Sequence, residues 1–209
     1  MQVAEDYNAW ASAYDTVMNK TRDLEGVALR DMLGALSFRS VLEAGCGTGK
    51  NTSFFVDRAE HVLSVDFSAA MLAQAKEKIK SEKVEFKQAD LMHAWTFLDR
   101  QVDLISFSLV LEHIPDLSTI FKNAYNTLNP GGYLYLGELH PFKQYAGSKA
   151  RFETASGETR VLDCFTHHVS DYFNAAVKAG FICESLQEWF DDDAVHLPRV
   201  LTIVFRKPK

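Results

Sequence analysis

Ser40-Val41-Leu42-Glu43-Ala44-Gly45-Cys46-Gly47-Thr48-Gly49-Lys50 passes from an apolar run into a cluster of glycines, and residues 48–58 continue with helical character. Val41 and Leu42 end a run that reads as a buried strand. Gly45, Gly47 and Gly49 remove three side chains in five residues. The backbone can then turn at positive φ and approach a ligand that a Cβ would hold off. Strand, glycine turn and helix in this order make the first unit of a nucleotide-binding α/β fold. Amides at the start of such a helix can bind a carboxylate or a phosphate. Two stricter patterns fail here. A dinucleotide loop asks for Gly-x-Gly-x-x-Gly, and residue 50 is Lys. A phosphate-binding P-loop asks for Gly-x-x-x-x-Gly-Lys-Ser/Thr, whereas Ala44 stands at its first glycine and Asn51 follows Lys50.

Downstream, strands and helices alternate. A second strand over residues 61–66 ends on Asp66, 23 positions after Glu43. A carboxylate at that spacing suits a ribose diol, because it accepts two hydrogen bonds at once. Ser68 is a good N-cap for the next helix, whose Leu72, Ala75 and Ile79 face the sheet. A third strand over 84–89 is followed by Asp90, again at the edge where ligands of open α/β sheets sit. A fourth strand over 103–109 precedes Glu112, His113, Ile114 and Pro115. Leu117, Ile120, Phe121, Ala124 and Leu128 recur at helical spacing until Asn129-Pro130-Gly131-Gly132 stops them. A fifth strand follows over 133–139. Ser170 is the expected cap of a helix ending at Gly180, and strands over 181–190 and 200–206, joined by a loop, close the chain as an antiparallel hairpin.

Leu42-Glu43-Ala44-Gly45-Cys46-Gly47-Thr48-Gly49, together with Asp66, Asp90, Leu111-Glu112-His113-Ile114 and the Asn129-Pro130-Gly131-Gly132 turn, resembles the class I S-adenosylmethionine (SAM) dependent methyltransferases of the small-molecule branch. The resemblance spans the whole chain. It implies a Rossmann-like α/β fold with seven mostly parallel strands, helices on both faces and a C-terminal antiparallel hairpin. It also implies SAM as cofactor, held by Tyr14, Glu43, Gly45, Gly47, Asp66, Phe67, Met71, Asp90, Leu91 and Ser108. In that family an acidic residue at the position of Asp90 accepts from the adenine amino group, and the next backbone amide reads the ring. The Asn/Asp-Pro-Pro-Tyr/Phe run of methyltransferases acting on DNA bases is absent after strand four.

Methyl transfer from a sulfonium is an in-line displacement that needs neither metal nor covalent enzyme intermediate. Positioning alone can supply roughly 7–11 kcal/mol. A protonated nucleophile also wants a base, worth about 10²–10⁴-fold. His140 is the first candidate, directly after strand five, with His113 and His167 next and His168 nearby. The front half is similar to quinone-pathway methyltransferases and to the carrier-protein carboxyl methyltransferase of biotin synthesis. A small-molecule acceptor is therefore expected. A carrier-bound carboxylate, or a SAM-binding protein with cyclase or decarboxylase chemistry, are the alternatives.

A chain of 209 residues with 47% hydrophobic and 24% charged residues is expected to form one globular domain over 1–209. The net charge of −6 and the lack of a dense basic run argue against a nucleic-acid partner. No apolar run reaches the roughly 18 residues of a membrane span, there is no leader pattern, and the cytoplasm is the expected compartment. Cys46, Cys164 and Cys183 are too scattered for a disulfide framework or a zinc site. Residues 1–36 are expected to form entry helices. Tyr7, Trp10 and Tyr14 share one helical face, which either packs on the core or closes over the ligand as a lid. Residues 24–36 repeat apolar positions after a polar break at 19–22. The 27 residues 141–167 exceed a plain connection, with a hairpin tip expected at 154–159. They read either as a cap over the acceptor, with Arg151 and Tyr145 as substrate contacts, or as the contact of a homodimer. Asp191-Asp192-Asp193 reads as a solvated turn, and no metal is expected.

Overall fold

The computed structural model describes residues 2–153, 157–192 and 194–209. The chain opens with α1 (Gln2–Trp10) and α2 (Lys20–Gly34). Helix α1 ends at Trp10, and residues 11–17 form turns where a continuous helix was expected. The three rings still meet, with centroids 5.8 Å apart for Tyr7 and Trp10 and 4.8 Å for Trp10 and Tyr14. The polar break is the start of α2. The Asn19 side chain accepts from the Arg22 amide at 3.0 Å and caps the helix four residues earlier than the apolar repeat alone suggests.

Strand β1 (Ser40–Ala44) passes through the glycine turn into α3 (Thr52–Arg58), and β2 (His61–Asp66) leads to α4 (Ala69–Lys78) and β3 (Val84–Gln88). Ser68 caps α4 as expected, accepting from the Met71 amide at 3.1 Å. Next come β4 (Val102–Ser108), a single 3-10 turn at Leu111–His113, α5 (Leu117–Thr127) and β5 (Leu128–Leu139). Strand β5 begins before the Pro-Gly-Gly segment, not after it. Gly131 at φ +80° lets that segment fold against the C-terminus, where Gly131 N–H donates to Lys207 O at 2.9 Å.

A short helix α6 (Pro141–Tyr145) and the two-stranded hairpin β6 (Arg151–Glu153) and β7 (Thr159–Val161) make up the 141–167 insertion. The expected tip lies partly outside the described residues. Helix α7 (Val169–Ala179) is capped by His168, whose N–H is taken by the Asp171 carboxylate at 2.8 Å, and not by Ser170. Gly180 ends it in the left-handed conformation. Strands β8 (Ile182–Asp191) and β9 (Ala194–Arg206) run together almost to their turn, replacing the longer loop expected at 191–199. Arg199 grips the Asp191 carboxylate at 2.5 and 2.6 Å and holds it below its ordinary pKa. Asp192 is exposed in the turn, and Asp193 lies outside the described residues.

The sheet order is β3-β2-β1-β4-β5-β9-β8, parallel from β3 to β5 and antiparallel at β9 and β8. Leu42 of β1 sits beside Leu63 of β2 and Ile105 of β4, so the central strands are apolar on both faces, as a covered parallel sheet requires. One layer of core joins the sheet to α5 and α7 through Phe121, Tyr172 and Phe205; the other joins it to α2 and α3 through Leu29, Leu33 and Phe55. Each such fully buried side chain contributes about 1.5–3 kcal/mol. A smaller cluster ties the entry helix to the hairpin, where Trp10 stacks on Phe152 at 5.3 Å. No described helix is long and apolar enough to cross a membrane. Chain order reverses between β1 and β4, and a crevice opens there at the carboxyl ends of the strands.

Candidate active site

At the end of β1 the chain turns through Gly45 (φ +80°), Gly47 (φ +53°) and Gly49 (φ +82°). The three glycines do different things. A Cβ on Gly45 would lie 2.3 Å from Val110 Cγ2, so this glycine lets the β4 loop pack against the turn. A Cβ on Gly49 would crowd Ile79 and Ala75 of the α4 region. A Cβ on Gly47 would meet nothing within 4 Å, because it would project into an open cleft.

Asp66 closes the turn from the end of β2. Its Oδ2 accepts from Gly47 N–H at 2.8 Å and its Oδ1 from Ser68 N–H at 2.9 Å. Burial pushes this carboxyl up to about 6 despite those bonds. Each oxygen keeps an acceptor site for a ligand. Glu43 is buried at the end of β1, where its Oε2 accepts from Thr52 at 2.5 Å and Ser64 at 2.7 Å; burial raises it to about 7.

The cleft opens where these strand ends meet. Tyr14, Gly45, Gly47, Asp66, Phe67, Asp90, Leu91, Ser108 and His113 line it, bringing together nine of the residues expected from sequence. A contiguous smaller recess of about 400 Å³ shares Tyr14, Gly45, Gly47 and Ser108 and adds Glu43, Arg22, Glu25, Lys50 and Asn51. Arg22 stacks on the Tyr14 ring and donates to the carbonyls of Tyr14 and Val17. Glu25 accepts from Asn51 Nδ2 at 3.0 Å and Tyr135 Oη at 3.1 Å, while Asn51 Oδ1 is buried without a partner among the described residues.

Over the cleft, Tyr7 Oη meets His113 Nε2 at 3.0 Å, and His113 Nδ1 faces the Asp163 carbonyl at 2.9 Å. A carbonyl only accepts, so Nδ1 carries the hydrogen and Nε2 presents its lone pair to the tyrosine. Glu112 and Cys164 lie beside His113, the potential ligand atoms of the three falling within 4.8 Å of one another.

The other expected residues lie elsewhere. His140 caps α6: Nδ1 accepts from Phe142 N–H at 3.1 Å and Nε2 donates to Glu188 at 2.9 Å. Both nitrogens of this first candidate base are engaged, and the ring lines neither cavity. His167 is turned inward, donating from Nε2 to the Ile114 carbonyl at 2.8 Å. Met71 is buried on the inner face of α4 and does not line the cleft. Arg151 and Tyr145 are exposed outside the cleft lining, with Tyr145 Oη bonded to His168 Nδ1 at 2.6 Å.

Comparison with known proteins agrees with this geometry. The family described as "Methyltransferase domain" matches residues 42–136. The demethylmenaquinone methyltransferase of Lactococcus lactis is 33% identical over 151 residues, 67% of this chain and 60% of that protein. The malonyl-[acyl-carrier protein] O-methyltransferase of Hamiltonella defensa is 28% identical over 66% of this chain and 52% of its own. The DhpI-SAM-HEP complex superposes with a TM-score of 0.77 at 27% identity, covering 98% of this chain and 95% of that one. The chain is similar to class I SAM-dependent methyltransferases in sequence and in fold.

The chain thus spans between half and two thirds of these two curated relatives' lengths, and the structural likeness is nearly full-length. Solved proteins of this fold hold SAM or its demethylated product, which makes SAM the cofactor, and the cleft fits that group. Gly47 leaves a cradle that a side chain would fill, Asp66 keeps free acceptor sites, and the recess offers a guanidinium and an unpartnered amide oxygen for an amino-acid tail. Sequence reasoning missed Tyr7, Arg22, Glu25, Asn51 and Leu109. Tyr7 lay on the aromatic face already singled out. Leu109 carried no sequence signal: it is a non-glycine residue at φ +58°, strained at the mouth of both cavities.

Proposed function

We propose that the chain methylates a small-molecule acceptor, with Gly45, Gly47, Asp66, Phe67, Asp90, Leu91 and Ser108 holding the nucleoside part of SAM and Arg22 and Asn51 receiving its amino-acid tail. The observation that carries this reading is the convergence of the ends of β1, β2 and β4 and the segment after β3 on one cleft. When bound, SAM supplies a methyl carbon on a positively charged sulfur that leaves as a neutral thioether. The protein's part is to hold the acceptor in line and to exclude water. His113 Nε2 receives the acceptor's proton, directly or through the Tyr7 hydroxyl that now occupies it. The entry helix and the β6–β7 hairpin, joined by the Trp10–Phe152 stack, form the cover.

The relatives support a small acceptor by analogy only, since they include enzymes named for a quinone precursor and for a carrier protein. Screening a metabolite extract with methyl-labelled SAM tests the proposal: a labelled small-molecule product is expected. Label appearing only in protein or nucleic acid would overturn it. His113→Gln should lower kcat by about 10²–10⁴-fold with SAM affinity retained.

A further inference from the structure

The charges around the cleft are lopsided. Its lining contains Asp66 and Asp90 but no Lys or Arg. Behind His113, the buried Glu112 carboxylate lies 3.9 Å from Nε2 and accepts from Gln144 at 3.3 Å, with no Lys or Arg in ion-pair reach among the described residues. The two cations of the connected site, Arg22 and Lys50, both belong to the smaller recess. Lys50 is already tied to the Arg22 carbonyl at 2.5 Å and Asp23 at 3.1 Å. Arg22 also donates to the carbonyls of Tyr14 and Val17, and in the proposed reading its remaining donors go to the cofactor's own carboxylate. The free wall of the large cleft is apolar and aromatic, with Val3, Tyr7, Phe67, Met92 and Ile114.

With Asp66 and Asp90 covered by the cofactor, an anion entering beside His113 would lose water next to the Glu112 carboxylate, with no Lys or Arg of the cleft lining to replace it. A neutral ring loses little and gains the apolar wall, and a cation is drawn by Glu112 and the ring faces. We infer that the acceptor is an uncharged or cationic aromatic compound, methylated on a hydroxyl or amine, and that carboxylate, phosphate and phosphonate acceptors are excluded. This rests on the reading of the cleft as a methyltransferase site, and it removes the role that Arg151 has in a cap gripping a carboxylate. Lys149 and Arg151, beside and on β6, are the cations whose removal tests for a counter-charge; Arg160 on β7 is already paired with Asp6.

The test uses three catechols matched in size that carry a hydroxymethyl, an aminomethyl or a carboxylate group. Binding to the full chain saturated with S-adenosylhomocysteine is followed by calorimetry, and methyl transfer by product formation from SAM. The hydroxymethyl and aminomethyl compounds should bind at least tenfold more tightly than the carboxylate. Glu112→Gln should narrow that gap by improving the carboxylate alone, and Lys149→Ala with Arg151→Ala should leave it unchanged. Carboxylate binding equal to or tighter than the others, its loss in the Lys149/Arg151 variant, or no binding by any of the three would overturn the inference. The predicted order of binding without methyl transfer would instead count against the methylation reading. Transfer to the carboxylate compound would keep that reading and sink this inference.

Discussion

Glu138 on β5 joins the chemistry of the loop after β4 to the stability of the whole sheet. It is 1% exposed; its Oε1 accepts from the amides of Val110 at 3.1 Å and Leu111 at 3.0 Å, and its Oε2 has no partner. Burial, reinforced by the charges of Glu112 and Glu25, pushes the carboxyl from 4.5 up to about 8. The folded-state pKa is raised, so the folded protein holds a proton that the unfolded chain releases above pH 4.5. Stability therefore falls as pH rises from about 4.5 to about 8. At pH 7 the loss corresponds to two and a half pKa units, or about 3 kcal/mol relative to pH 4. Glu138→Gln keeps the acceptor for Val110 and Leu111 and cannot ionise. Its amide adds one unpartnered N–H, costing about 1 kcal/mol at every pH. Urea unfolding at intervals from pH 4 to 8 should show the variant about 1 kcal/mol less stable than wild type at pH 4 and about 2 kcal/mol more stable at pH 7. Asp66 and Glu43, raised to about 6 and about 7, bend both curves the same way, so the difference isolates Glu138. A difference that stays constant across this range would refute the reasoning.

Three further changes probe the cover, the turn and the rejected base. Gly47→Ala puts a Cβ into the cleft at φ +53°, and should cost about 1 kcal/mol of stability while weakening SAM binding by tenfold or more in calorimetry. Deleting residues 1–18 removes Tyr7, Trp10 and Tyr14 but none of the side chains in the two core layers, so a cooperative thermal transition should survive with weaker SAM binding. Full affinity in that truncation would return the entry helix to a packing role. His140→Ala should lower stability by about 1 kcal/mol through the lost α6 cap and leave kcat in place; a hundredfold fall in kcat would restore it as a candidate base.

The sequence was most informative where one residue type alone satisfies the backbone. Gly45, Gly47 and Gly49 mark the turn because each sits at positive φ, and Ser68 and Gly180 mark helix ends because a hydroxyl cap and a left-handed C-cap have few substitutes. Asp66 and Asp90 were legible because a parallel strand fixes where its carboxyl end must lie: Asp66 closes β2 and Asp90 follows β3 by two residues. Side chains placed by the path of a long connection were not. His140 and Arg151 each follow a plausible edge, yet α6 turns His140 toward Glu188, and β6 leaves Arg151 facing outward. Arg22, Glu25 and Asn51 come together only because α2 packs beside the glycine turn, a contact between segments with no shared local pattern. His168 displaced Ser170 as a helix cap through its pairing with Asp171, a histidine cap that propensity does not favour.

Calorimetric titration of SAM into the wild-type chain and into Asp66→Ala tests the assignment of the cleft most directly. Asp66 orders the Gly47 and Ser68 amides and keeps acceptor sites for a ribose, contributions of about 1.5–3 kcal/mol from hydrogen bonds to a charged group. The account predicts wild-type binding with one site per chain, and an affinity ten- to a hundredfold weaker in the variant while its thermal transition stays cooperative. Unchanged affinity in a folded Asp66→Ala protein would contradict it.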